Sequence, residues 1–307
     1  MAVSQAQAVG ATATIDRGER RNALIGIALM VTAVLMFVIM DTIGKSLTQS
    51  LPVQQVVWGR YIFHFLLTAA LLPFIGRRSL LATRRPLIQL GRGLLLAIAT
   101  LCMFTAFSFV PLADAYVISF IAPLLVTALS VPLLAERVGW RRWTAVAVGF
   151  AGVLIVIRPG LVAVHWALLM PLITAANFAL YQILTRKLSA EPGEYPVAML
   201  FYVALVGTVV TSLIVPFYWT PLGVDEWLWM VAMGALGAAG HLILIRALTI
   251  APASLLSPFI YTQIVWALIT GWFVFGDRPD LWTLAGGTVI VGSGLFVFWR
   301  EARLQRS

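Results

Sequence analysis

Apolar runs, most of them near the about 20 residues that a helix needs to cross a bilayer, follow one another along almost the whole chain. They fall at roughly 23–46, 53–75, 87–109, 112–134, 142–158, 166–186, 196–218, 226–248, 252–275 and 281–299. Short connections separate them, marked by Pro52, Gly76, Pro86, Pro111, Pro159-Gly160, Pro192-Gly193, Pro252 and Pro279. Alternating strands of about ten residues, the pattern of a membrane barrel, are not seen. The pattern predicts an all-α integral membrane protein with ten transmembrane helices, because a spanning helix satisfies its own backbone where no water can.

Composition agrees with this. Of 307 residues, 61% are hydrophobic and 11% charged, against about 45–50% and about 25% in an ordinary soluble domain. Such a chain cannot cover its surface with polar groups and needs lipid as its solvent. The formal charge of +9 sits in short loops and not in a basic stripe interleaved with aromatics. We therefore expect no nucleic-acid partner, and read the charge as setting membrane orientation. With a cytoplasmic N-terminus, 17 Lys and Arg residues from Arg17 to Arg306, Arg92 among them, lie on one side. Three, Lys45, Arg158 and Arg278, lie on the other, and Arg60 falls within the second run. The imbalance predicts that both termini are cytoplasmic.

Residues 1–22 read as a disordered cytoplasmic tail, and 300–307 as a second tail. The run from Ala23 to Lys45 is longer than the h-region of a signal peptide, about 7–15 residues, so a retained first helix is expected. Cys102 is the single cysteine, which leaves no intrachain disulfide and no cysteine-based metal site.

The two halves of the sequence are related. At an offset of 141 Gly93 meets Gly234, Ala106 meets Ala247, Ser108 meets Thr249, Pro111 meets Pro252 and Glu136-Arg137 meets Asp277-Arg278. At 142, Thr32-Ala33 meets Thr174-Ala175 and Lys45 meets Lys187. The offset holds from the first run to the last and divides the chain into five-helix repeats at 23–158 and 166–299. Five is odd, so the second repeat enters the membrane upside down. This 5+5 inverted repeat is a common architecture of secondary transporters. Duplication for purely structural reasons is the alternative.

Thr105 to Ala115 (TAFSFVPLADA), Ala122-Pro123, Leu134 to Arg137 and Trp143 to Gly152 resemble the EamA-type half of the drug/metabolite transporter superfamily. So do Arg246 to Ser254 and Phe275 to Arg278 in the second half, where Asp277 replaces the family's usual glutamate. The resemblance covers 23–299. It implies a carrier of the bacterial inner membrane that exports amino acids and related small metabolites, aromatic amino acids among them. It further implies a central cavity formed mainly by helices 1, 3, 4, 6, 8 and 9.

Ionisable groups inside the bilayer usually face a cavity or a partner. Asp41 lies about 8 Å below the outer end of the first run, and Arg60 about 10 Å below that of the second, at about 1.5 Å per residue. The matched depths allow two readings, a structural ion pair or a pair of hooks for the two ends of a zwitterion. His64 lies one turn further in. Ser119 to Pro123 and Tyr261-Thr262-Gln263 lie at equal depth in the fourth and ninth runs, and Thr174, Asn177 and Tyr181 share one face of the sixth. Pro123 and Pro258 are candidate hinges, although the offset of 141 carries position 123 to 264 and not to 258. Trp266 is the midplane tryptophan, and Tyr181, Tyr261 and Trp266 together would suit an aromatic substrate. The glycines at 234, 237 and 240 read as helix packing.

These residues favour a carrier for a small molecule such as an amino acid. A drug or other metabolite exporter of the same fold is the nearest alternative. A phosphorylated sugar would want several midplane cations, and Arg60 alone qualifies. A His-Glu-x-x-His motif and a P-loop are both missing from the sequence, so neither an intramembrane zinc protease nor direct ATP hydrolysis is expected. No cofactor or metal is expected. Oligomeric state and energy coupling are left open by the sequence.

Overall fold

The computed structural model describes residues 2–70, 83–134, 139–159, 165–189 and 191–304, and no strand forms among them. Helices stand at all ten expected positions. They are α1 (Ala2–Leu47), α2 (Val53–Ala70), α3 (Pro86–Phe107), α4a (Leu112–Ser119) with α4b (Ala122–Leu134), and α5 (Trp140–Ile157). The second half holds α6 (Met170–Ser189), α7 (Pro196–Ile214), α8 (Val224–Ile250), α9a (Ala253–Leu256), α9b (Thr262–Phe275) and α10 (Leu281–Leu304). Among the described residues, seven stretches are long and apolar enough to cross a membrane, and Trp143–Ile157 and Leu281–Val297 are shorter apolar helices. The backbone of α1 runs back to Ala2, so the segment expected as a disordered tail continues the first helix. Its Ala-rich sequence suits that conformation.

The helices pair in a regular way. α1 packs on α8 and α3 on α6; α2 packs on α8 and α7 on α3; α1 packs on α9b and α6 on α4. The remaining large contacts join α2 to α7, α4a to α9b and α5 to α10. Exchanging the first five helices for the last five, in order, maps each of these contacts onto another or onto itself.

Apolar side chains gain little by leaving lipid for one another, so close approach of backbones holds such a bundle together. A Cβ added at Gly286 of α10 would lie 2.6 Å from the Gly152 carbonyl oxygen of α5. A Cβ at Gly234 of α8 would lie 2.8 Å from the His64 nitrogen of α2, so this glycine packs helices as its spacing predicted.

The connections meet in groups. On one face Gln55 exchanges two hydrogen bonds with the Thr220 backbone, and the rings of Trp58, Trp219 and Trp227 cluster. On that face too, Phe109 meets His165 and Trp166, and Arg158 pairs with Asp280 at 2.7 Å. On the opposite face Arg85 pairs with Glu191, while Glu194 accepts from Thr83 and from the Arg84 N–H. At the surface Asp280 lies below the ordinary carboxylate range: slight burial works against this, but bonds from Thr283 and the charge of Arg158 outweigh it. A carboxylate with a lowered pKa stabilises above its unfolded value and loses that effect as pH falls through the lowered one. Acidification should therefore weaken the α5–α10 tie, and Asp280→Asn should flatten the acid limb of the melting temperature.

Candidate functional site

Both α4 and α9 are interrupted midway. In α4 the helix stops at Ser119 and resumes at Ala122, with Pro123 in the first turn of the new piece. Proline lacks the N–H that would continue the ladder, so the preceding turn is released. In α9 a 3-10 stretch, Ser257–Tyr261, carries Pro258 and gives way to α9b at Thr262. The two prolines are out of register, but the interruptions are not. Phe120, the C-cap of α4a, and Tyr261, the last residue of the 3-10 stretch, are 141 residues apart, and their rings meet at 5.1 Å. Gly294 of α10 makes room for the Tyr261 hydroxyl, which a Cβ there would meet.

Asp41 lies in the C-terminal third of α1, 8% exposed. Tyr116 of α4a donates to its Oδ2 at 2.5 Å, and the Gln263 side chain of α9b lies close enough to act on the same hydroxyl. Asp41 Oδ1 is buried with no hydrogen-bond partner in the protein. The ion pair allowed by matched depths does not form. Arg60 makes no salt bridge among the described residues, and its guanidinium rests over the rings of Phe104 (5.5 Å) and Tyr61 (5.9 Å). It remains close enough for its charge to act on Asp41. A run of rings, Phe104 to Phe107 and Phe107 to Tyr116 at 5.6 Å each, joins the guanidinium to the carboxylate. Gly44 permits this shelf, since a Cβ there would strike Phe104 at 2.2 Å.

One turn from Arg60, His64 faces His241 of α8 at 5.3 Å, and the His64 Nε2 has no partner in the protein. Trp266 of α9b packs against the main core and against the smaller cluster around Met30 and Val34, and its buried indole N–H is also without a partner. Asp41, Arg60, His64 and Gln263 are thus brought together. The other expected residues are not. Ser119 and Thr262 bond backbone oxygens of their own turns, and Asn177 donates to Ile173 within α6. Tyr181 belongs to a different group, with Arg92 stacked over its ring at 5.0 Å.

Arg92 corrects the sequence reading, which counted it with the loop cations. It is 1% exposed on α3, where it donates to Thr185 and Gln89, and Gln89 in turn reaches Glu194. Six residues beyond Pro86, at about 1.5 Å each, it is as deep as Arg60, so the depth argument could have found it. Tyr116 had no such signal, because a tyrosine in an apolar run packs equally well as core. Among the described residues no group of three or more His, Cys, Asp or Glu could hold a metal ion.

Comparison with known proteins fits this architecture. A solved crystal structure aligns with a TM-score of 0.59 at 20% identity, covering 91% of this chain and 98% of that one, and shows the shared fold. An S-adenosylmethionine uptake transporter of Rickettsia felis is 30% identical over 269 residues, 86% of this chain and 88% of that protein. A riboflavin transporter of Vibrio cholerae is 28% identical over 291 residues, 94% and 97% of the two chains. A pseudopaline exporter of Pseudomonas aeruginosa is 28% identical over 271 residues, 87% and 93%. The model of the EamA-like transporter family matches twice, at residues 24–158 and 161–299. Matched in both halves, and with relatives that span nearly its whole length, the chain belongs to the EamA-like transporter family, a family of membrane transporters and not enzymes.

Proposed function

We propose that this transporter carries amino acids and related metabolites bearing an α-amino acid group, exporting them when the inner pool is the larger. The observation that carries the reading is the central pair: a buried carboxylate with an open oxygen beside a half-buried guanidinium whose partners among the described residues are aromatic rings. Buried charges are costly unless paired. A zwitterion placed between Asp41 and Arg60 would satisfy both, its ammonium on Asp41 and its carboxylate on Arg60. S-Adenosylmethionine, named for the Rickettsia relatives, carries such a head group, as do free amino acids. We place the chain in a bacterial inner membrane, and the imbalance of cations, 16 to three once Arg92 is set with Arg60 inside the bundle, supports cytoplasmic termini.

Alternating access follows from the repeat. Two family matches and a contact pattern preserved on exchanging halves support near-equivalent repeats, and five helices in each make them inverted. Such halves can exchange inward-open and outward-open shapes around a fixed site. The breaks of α4 and α9, which meet at Phe120 and Tyr261, are where each repeat would bend.

A flat uncharged cargo is the second reading, favoured by the ring run Phe104–Phe107–Tyr116. Purified protein in liposomes separates the two. Labelled S-adenosylmethionine and amino acids should enter saturably and compete with one another, and riboflavin should not compete. No flux above empty vesicles for the amino-acid-bearing probes would overturn the proposal, and flux linear in concentration would indicate a channel.

A further inference from the structure

Lysines near a helix end ordinarily reach for the interface. Lys45, one turn outward from Asp41 on α1, turns inward instead and is 8% exposed. Its Nζ donates to Asp277 Oδ2 at 2.9 Å and to the Val110 carbonyl at 3.1 Å, and it lies over the Phe275 ring at 4.7 Å. One side chain thus joins the outer end of α1 to the α3–α4a link and the α9b–α10 link. Asp277 is held on a fixed corner. Gly276 adopts the left-handed conformation (φ 71°) that closes α9b, and the Asp277 N–H bonds back to the Gly271 carbonyl.

The arrangement bears on the central site through helix geometry. Residues four apart lie one above the other on a helix, so Asp41 and Lys45 share a face of α1. That face makes two polar contacts, Asp41 with Tyr116 of α4a and Lys45 with the Val110 carbonyl of the α3–α4a link. Gln263 on the same tyrosine brings in α9b. A cargo ammonium arriving on Asp41 competes with the Tyr116 hydroxyl, and Lys45, through Asp277 and the Val110 carbonyl, then still ties the end of α1 to the two links.

We infer that Lys45 is a positioning residue for transport: its bond to Asp277 latches the outer turn of α1 shut, and the latch must release and re-form in each cycle. The role in transport rests on the carrier reading above, while the latch itself can be read without any cargo. In protein with Cys102→Ser and a reporter at Val110→Cys, a buried position (7% exposed), an impermeant maleimide should react slowly. Lys45→Asp or Asp277→Lys should speed labelling about tenfold, the shift that about 1.4 kcal/mol gives. The double swap should restore slow labelling and most of the S-adenosylmethionine exchange lost in each single variant. If reversal disturbs assembly, Lys45→Gln and Asp277→Asn, which only remove charge, should move labelling in the same direction. Labelling unchanged in the single variants, or still fast in the swap, overturns the latch. A latch that responds in a protein that moves no amino-acid-bearing probe would instead count against the carrier reading alone.

Discussion

Asp41→Asn brings flux of S-adenosylmethionine and amino acids down to the level of empty vesicles, with the bundle still assembled. Asparagine nearly matches aspartate in volume and keeps an oxygen to accept from Tyr116, so the α1–α4a contact survives. What it loses is charge. Removing one partner of a buried pair costs about 3–5 kcal/mol, so the cargo ammonium should bind at least about a hundredfold more weakly, at 1.4 kcal/mol per decade. Arg60→Gln should act through the other end of the cargo. A methyl ester lacking the carboxylate should be the poorer cargo of the wild type and lose less in Arg60→Gln than the free acid. The measurement is initial flux against concentration, with elution and melting profiles as the check on folding. Flux within a factor of about two of wild type in Asp41→Asn, well under 1.4 kcal/mol, would remove Asp41 from the site. Loss for amino acids with undiminished riboflavin flux would assign the ring run to a second kind of cargo.

The sequence made the helices legible because lipid imposes one rule on every run: enough apolar residues to cross, closed by proline, glycine or charge. The offset of 141 carried further than the prolines did. Pro123 and Pro258 disagree with it, yet the breaks they cause agree, because each proline disrupts the turn around it and not its own position alone. Depth along a helix set Asp41 and Arg60 at one level, and the charge of Arg60 does act on Asp41. It could not say that Arg60 would stack on Phe104 in place of pairing, since depth fixes one coordinate and the rotation of each helix fixes the others. The same limit explains Asn177 and Tyr181: they share a face of α6, but Asn177 turns back to its own helix and Tyr181 lies under Arg92 of α3. Lys45 and Asp277 were visible as matched residues of the repeat, while their meeting across 232 residues required the packing of both halves.

Gly286→Ala should be among the most damaging single-methyl changes outside the site, and α10 carries its own control. The new Cβ would stand 2.6 Å from the Gly152 carbonyl oxygen and 2.5 Å from a Val156 methyl. The valine can turn away, but the carbonyl belongs to α5 backbone and moves only with the helix. Overpacking of this kind costs about 1–3 kcal/mol where neighbours can adjust, and in lipid no gain in apolar burial offsets the lost contact. The α5–α10 crossing should open and the melting temperature in detergent should fall by several degrees, with flux falling only as far as folded protein is lost. Gly292, six residues along the same helix, has nothing within 4 Å of its added Cβ. Gly292→Ala should leave melting unchanged or raise it slightly, since alanine is favoured over glycine in a helix by about 0.8–1.0 kcal/mol. Equal melting of the two variants would mean that α5 and α10 are not held by backbone contact at Gly152 and Gly286, and the mapping of α5 onto α10 by the repeat would lose its physical basis.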